Sequence, residues 1–345
     1  MNLVDDTRFT RPLAKALTGH VDAFQRSMAG PASVHGALEA ARPAAVAWVY
    51  YTVLIAWAED HGLIDPWLRK EAVDARDAVL AGGIPPTGWI AMGIGKLTVH
   101  PATWCLLDPR YSELRAGTPG ETEALALLDW WAAEAPSLRY DVDKGPASIT
   151  GWLPGDLLQA LSAERRKQFA FCQTPWWVAD FLLDRTLVPA VDEFRHEPVI
   201  RSIDPTCGTG HILARTVDYL WEWYTTGALR PRQATGGFAA AGGTVLEPAD
   251  AIRRILAGVH GCEKDPLTAA VARLRMTVIV GDLMHRSGMI SRLRLDALPP
   301  FEPVIAVGDS LLAGIVTEAE YATVHPRLAD IQNLGVPGSV GRPRV

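Results

Sequence analysis

Apolar positions in the first 165 residues recur mostly at helical spacing, and strand-like runs are few. In 35–58, Leu38, Ala41, Ala45, Trp48 and Tyr51 fall near the helical period, with Pro43 expected to kink or restart the helix. The run 44–58 is too short to span a bilayer, is closed by Glu59-Asp60, and reads as a core helix. Residues 82–109 are rich in Gly and Pro and read as irregular. Residues 121–135 return to helix, with Leu125, Leu128 and Trp131 apolar, and 132–146 read as a connection. Most of the 12 tryptophans lie in this part or just after it, where packing is their plainest role.

The texture changes after 150. Short helices are expected over 153–161 and 163–167, the latter ending in Arg165-Arg166-Lys167. Gln173-Thr174-Pro175 then opens a helix over 176–187, with Thr174 as N-cap, Pro175 in the first turn, and Val178, Phe181 and Leu182 facing the core. A buried strand over 198–203 runs into Asp204-Pro205-Thr206-Cys207-Gly208-Thr209-Gly210, and Leu213, Val217, Leu220, Trp221 and Tyr224 then repeat as a helix. Residues 225–244 read as an insertion loop and 249–257 as a helix. A second strand, 258–263, ends at Glu263. The helix after it carries Leu267, Ala270, Val271, Leu274 and Val278 on one face, and a third strand, 303–308, ends at Asp309. This alternation predicts an α/β fold: a helical domain over 1–150, then a doubly wound parallel sheet over 151–345.

Composition narrows the class. A hydrophobic content of 48% with 21% charged residues is that of a folded chain with sizeable cores, not a disordered one. The net charge of −6 gives no global basic field for nucleic acid, although a local basic groove is compatible with it. Cys105, Cys172, Cys207 and Cys262 are far apart, so neither a zinc site nor a disulfide framework is expected, and a reducing cytoplasm fits. The acidic start, Met1-Asn2-Leu3-Val4-Asp5-Asp6, lacks a signal peptide's basic and apolar regions, and a soluble intracellular protein is expected.

The three strands each end in a carboxylate, Asp204, Glu263 and Asp309, where open α/β sheets bind ligands. The Gly208-Thr209-Gly210 bend lets backbone approach a ligand closely. A dinucleotide site would share this layout, but its third glycine is replaced by Leu213, and Asp204 would repel a pyrophosphate. An acid there suits a ligand bearing an ammonium or sulfonium, which points to S-adenosylmethionine. Glu263 is placed for ribose hydroxyls. Plainer roles exist, Asp204 as a turn former before Pro205 and the other two acids as solvated caps, but they would have to coincide at three strand ends. Cys207 has no evident His or Asp partner and reads as small turn filler rather than a nucleophile.

Residues 151–312 resemble the adenine-specific (N6) DNA methyltransferases of restriction-modification and phage-defence systems. Phe169-Ala170-Phe171-Cys172-Gln173-Thr174-Pro175-Trp176 is similar to their first cofactor motif, and Asp204-Pro205-Thr206-Cys207-Gly208-Thr209-Gly210 to their Asp-Pro-x-Cys-Gly-x-Gly signature. Gly261-Cys262-Glu263-Lys264-Asp265-Pro266 resembles the ribose motif and Val307-Gly308-Asp309-Ser310 the adenine-side motif. The resemblance implies that Phe171, Thr174 and Pro175 bound the methionine end of S-adenosyl-L-methionine. It further implies that Asp204, Pro205, Cys207, Gly208 and Gly210 form the loop around its amino-acid part, while Glu263 takes the ribose and Asp309 the adenine amine. It also implies a Rossmann-like sheet and double-stranded DNA as substrate, through a flipped adenine.

The family's catalytic Asn-Pro-Pro-Tyr on a fourth strand is not in the sequence. Leu298-Pro299-Pro300-Phe301 has the wrong first residue, precedes the Asp309 strand, and reads as a loop. Val340-Gly341-Arg342-Pro343-Arg344-Val345 stands near the expected position, with Arg342 in place of Asn, and 334–340 is a poor candidate for a fourth strand. The catalytic residues are therefore unassigned. The sheet is expected to be incomplete after its third strand, leaving the first as a hydrophobic edge. A second polypeptide carrying the catalytic motif and target recognition is expected to complete it; the alternatives are a non-catalytic cofactor-binding or scaffolding subunit, a truncated inactive chain, or a methyltransferase acting on RNA or protein.

Overall fold

The structure, a computed structural model, describes residues 7–30, 35–139, 152–162, 172–232, 239–312 and 315–332. The chain divides into two compact units, Met1–Phe171 with Leu293–Leu298, and Cys172–Arg292 with Pro299–Val345. The first unit thus runs to Phe171, where the sequence pattern places the boundary at 150.

In the first unit α1 (Thr7–Ala29) buries Leu13, Leu17, Val21 and Phe24, one stripe at helical spacing, and it packs on α2 (His35–Asp60). Residues 44–58 of α2 are all buried, as an element apolar on every side must be. Its aromatic and hydroxyl groups tie the surrounding segments to it. Tyr50 donates to the carbonyl of Pro154 at 2.9 Å, Tyr51 to that of Leu106 at 2.7 Å, and Trp131 Nε1 to Thr52 Oγ1 at 2.7 Å. The helix runs through Pro43 without the expected restart, because one lost hydrogen bond is small beside this burial.

Among the described residues of this unit four further α-helices follow α2 in sequence: α3 (Val73–Ala81), α4 (Pro86–Leu97), α5 (Glu121–Ala133) and α6 (Trp152–Leu161). The expectation of irregular backbone over 82–109 is corrected by α4 and by a 3-10 helix, Pro101–Leu106. Pro86 fits the first turn of α4. Gly93 is there because a Cβ would come within 2.6 Å of Trp67 and 2.8 Å of Ile55. Trp67 itself stacks on Trp89 at 3.9 Å, with each indole N–H donating to the other residue's carbonyl at 3.1 Å.

The second unit is α/β. It begins with α7 (Trp176–Glu193), followed by β1 (Ser202–Asp204) and α8 (His211–Thr226). Then come β2 (Ala228–Leu229), β3 (Ala240–Ala241), α9 (Pro248–Gly258), β4 (Val259–Glu263), α10 (Pro266–Arg286) and β5 (Val304–Val307), and finally α11 (Glu318–Val324) and α12 (Pro326–Gln332). Among the described residues the main sheet has three parallel strands in the order β1-β4-β5, with Asp204 opposite Gly261 and Glu263 opposite Val307. The expected insertion loop contains a short antiparallel pair, β2 with β3. Among the described residues β1 pairs on one side only, and Ile203 on it is 58% exposed. Residues 163–171 and 333–345, with the expected 163–167 helix, Arg342 and the fourth-strand candidate, lie outside the described residues.

The start and inner face of α7 differ from expectation. Its N-cap is Pro175, not Thr174, and Phe181 and Leu182 are exposed while Val178 is half-buried. The buried face instead carries Ala179, Asp180, Leu183, Asp184, Leu187, Val188 and Val191. Two acids draw it inward: Asp180 pairs with Arg215 of α8 at 2.7 Å, and Asp184 accepts from Tyr219 at 2.7 Å and from the Arg232 amide at 3.0 Å. Buried polar groups must be paired, and this pairing outweighs the apolar periodicity.

The first unit also holds a buried carboxyl, Glu59, whose Oε2 accepts the amides of Trp67 and Leu68. Burial raises it to about 7, against the lowering effects of those amides and Arg69. A folded-state value above the unfolded one means that the native state takes up a proton as pH falls through about 7, so stability is lower above that pH. The thermal midpoint of the wild type should therefore rise by a few degrees between about pH 8 and about pH 6, and Glu59→Gln should flatten that slope. An unchanged slope in the variant would exclude Glu59 as its source.

Candidate functional site

The carboxyl edge of the sheet is assembled by backbone bonds between strand ends. The Cys207 amide donates to the carbonyl of Cys262 at 2.9 Å, and the Gly308 amide to that of Glu263 at 2.9 Å. These bonds bring the loops after β1, β4 and β5 side by side. Their acids converge around Cys262, whose thiol is pushed up to about 11 by burial and by the charges of Glu263, Asp309 and Asp204.

The loop 205–210 takes its shape from two left-handed glycines, Gly208 at φ 55° and Gly210 at φ 85°, a region that a side chain disfavours. Gly261 on β4 leaves room beneath it: a Cβ there would come within 2.8 Å of Leu213 and 3.0 Å of Cys207 Sγ. Cys207 is buried, and burial followed by Asp204 and Glu263 raises its thiol well above the ordinary value. It packs as turn filler and is a poor nucleophile.

Each acid is held differently. Glu263 is buried, and its oxygens accept the amides of Gly208 and Asp265, both at 2.8 Å. Burial nevertheless raises its carboxyl. Asp309 accepts from Lys264 Nζ and from His325 Nε2, each at 3.0 Å, and from the Leu311 amide at 3.0 Å. Burial raises its carboxyl, but these donors prevail and hold it below the ordinary range. Asp204 is 8% exposed and accepts the Thr206 amide at 3.1 Å. Among the described residues no cation pairs with it, and burial raises it.

Behind the loop, polar groups absent from the expected set fix its position. Arg275 of α10, 1% exposed, donates through Nη1 to the Thr209 carbonyl and, at 2.9 Å, to Thr209 Oγ1. Gln173 Nε2 donates to the same hydroxyl at 2.9 Å. His211 Nδ1 lies 3.0 Å from the Thr174 carbonyl; burial and the Arg275 charge lower its basicity, so the neutral ring donates through Nδ1. Gln173-Thr174 is thereby fastened to the glycine loop. Arg273, two residues before Arg275 and so on the other side of the helix, secures β5 by donating to the Ile305 carbonyl at 3.3 Å and pairing with Glu302 at 2.6 Å.

Of the expected site residues, Thr174, Asp204, Cys207, Gly208, Gly210, Glu263 and Asp309 share this edge, while Pro175 and Pro205 are exposed on its loops. Phe171 lies outside the described residues. Arg275, Tyr321 and His325 were not expected. Buried arginines within the apolar repeat of 266–286 were the available signal for Arg275; nothing comparable marked the other two. Among the described residues no cluster of His, Cys, Asp and Glu could hold a metal ion, and no helix is long and apolar enough to cross a membrane.

No protein-family model matches the chain. Over 287 residues, 78% of the chain, it is 34% identical to the adenine-specific methyltransferase PglX of Streptomyces coelicolor. The chain is related to the adenine-specific methyltransferases. It spans 22% of the length of that relative. A more distant likeness is to a nuclease-deletion mutant of the Type ISP restriction-modification enzyme LlaGI, solved in complex with a DNA substrate mimic. There the identity is 13% and the TM-score 0.39, over 94% of this chain and 21% of that one.

The space below the loop is directly testable. Gly261→Ala should cost about 1–3 kcal/mol in denaturant unfolding, because the buried Leu213 and Cys207 must move to admit the methyl group. Unchanged stability would show that the loop is not packed against β4 as described.

Proposed function

We propose that the second unit binds S-adenosyl-L-methionine at the carboxyl edge of β1, β4 and β5, as the cofactor-binding part of a DNA adenine-N6 methyltransferase. The observation that carries this reading is Asp204, a carboxylate 8% exposed at a strand end with no cation partner among the described residues. An ionised carboxylate is costly to bury unpaired, and a ligand bearing an ammonium and a sulfonium supplies the missing charge. The left-handed glycines leave backbone within reach of such a ligand. When bound, the cofactor supplies an electrophilic methyl group.

In this reading the chain's residues bind and orient. Asp204 pairs with the cationic amino-acid end, which the loop 205–210 surrounds, and Thr174 and Pro175 lie beside it. Glu263 accepts from the ribose hydroxyls while its amide bonds keep Gly208 in place, and Asp309 accepts from the adenine amine. The fold is then a Rossmann-like methyltransferase sheet, and the protein works in the cytoplasm in restriction or phage defence. The substrate is double-stranded DNA, with the target adenine flipped out of the stack. The acceptors for that adenine's amine and the reader of its sequence lie outside these 345 residues, on a strand with the Asn-Pro-Pro-Tyr motif for which a second polypeptide is one source. The one-sided pairing of β1 and the exposure of Ile203 support a strand joining there.

Calorimetric titration of the full chain with S-adenosylmethionine tests the site. The wild type should bind, and Asp204→Ala should weaken binding about tenfold or more, the worth of a charge-assisted contact. No binding by the wild type refutes the pocket, and equal binding by both refutes the role given to Asp204.

A further inference from the structure

Asp309 is restrained more tightly than either other acid, and part of the restraint comes from a turn beyond the strand that carries it. Thr317 and Glu320 form a reciprocal cap that starts α11. Tyr321, 5% exposed, follows within that helix and His325 at its end, four residues apart, so both lie on one side with their rings 5.3 Å apart edge to face. The Tyr321 hydroxyl accepts the Asp309 amide at 2.7 Å, and His325 Nε2 donates to Asp309 Oδ2 at 3.0 Å. Backbone and side chain of Asp309 are thus gripped from the same helical turn. Lys264, next to Glu263, reaches the same Oδ2 at 3.0 Å from the other side.

A carboxylate offers about four acceptor positions. Oδ2 uses two, on Lys264 and His325, and Oδ1 uses one, on the Leu311 amide. Among the described residues one acceptor position on Oδ1 remains, in a direction set by how Oδ2 is held. Such a position takes an N–H donor and rejects a carbonyl oxygen, since two acceptors facing each other leave both unsatisfied.

We infer that Tyr321 and His325 are positioning residues for Asp309, and that by orienting its remaining acceptor they make the site select an adenosyl ligand over its inosyl counterpart, which has a carbonyl in place of the amine. The inference rests on the cofactor site proposed above. Neither residue touches the ligand; both act through the carboxylate. Without them the carboxylate would keep the Leu311 amide on Oδ1 and, on Oδ2, only the end of the flexible Lys264 side chain.

The test is titration of the full chain with S-adenosylhomocysteine and with S-inosylhomocysteine, with thermal unfolding of every variant to confirm folding. The wild type should prefer the adenosyl ligand by about tenfold or more, the discrimination expected when a buried polar group is left unpaired. His325→Ala should lose most of that preference, chiefly by weaker binding of the adenosyl ligand. His325→Gln, whose amide N–H can stand where Nε2–H stands, should recover it. Tyr321→Phe keeps the ring and removes the hydroxyl, and should reduce the preference without loss of fold. Wild-type preference in both His325→Ala and Tyr321→Phe overturns the inference. So does folded His325→Gln behaving like His325→Ala, which would leave the ring with a packing role only. A wild type that binds neither ligand overturns the cofactor site itself, whereas a wild type that binds both equally leaves the site standing and overturns this inference alone.

Discussion

Burying a carboxylate without a counter-charge is costly, and the second unit does so at the ends of adjacent parallel strands. The surrounding structure is arranged around that cost. Glu263 is relieved by two backbone amides, one of which belongs to the glycine loop, so the charge also fixes the loop. Asp309 is relieved by a lysine, a histidine and an amide. Asp204 receives one amide and, among the described residues, no cation. A site that spends stability in this way is pre-organised for binding.

The scaffold behind the acids is almost entirely α10, buried along most of its length, including two arginines. Arg273 and Arg275, two residues apart, face opposite sides of the helix, one serving the carbonyls entering and within β5, the other the glycine loop. Each guanidinium can satisfy several carbonyls at once, which suits it to fastening irregular backbone to a helix. The loop's geometry therefore depends on helix packing as well as on its glycines.

Much of this was legible in the sequence, for identifiable reasons. The strand ends, the glycine bend and the three acids were readable because glycines with positive φ, apolar runs and charged termini have local signatures: the observed β4, Val259–Glu263, and β5, Val304–Val307, fall within the expected runs. Long-range pairing was not readable. The face of α7 was misassigned because Asp180 and Asp184 are buried by Arg215 and Tyr219, residues that hydrophobic spacing does not connect to them. The helix α4 is not evident from local rules because they take Gly93 as a breaker, whereas it makes room for Trp67 and Ile55. Tyr321 and His325 lie beyond the recognisable motifs, and only the fold brings them to Asp309.

Asp204 is buried with no cation partner among the described residues. Its carboxyl is raised above the ordinary 3.8 by burial, so a cationic ligand should drive its proton off. Calorimetric titration with S-adenosylmethionine in acidic buffers of different ionisation heat counts the protons exchanged on binding. Proton release is expected in the range just above that ordinary value, and its loss in Asp204→Asn. Binding with no proton release, or the same release in Asp204→Asn, would contradict that expectation.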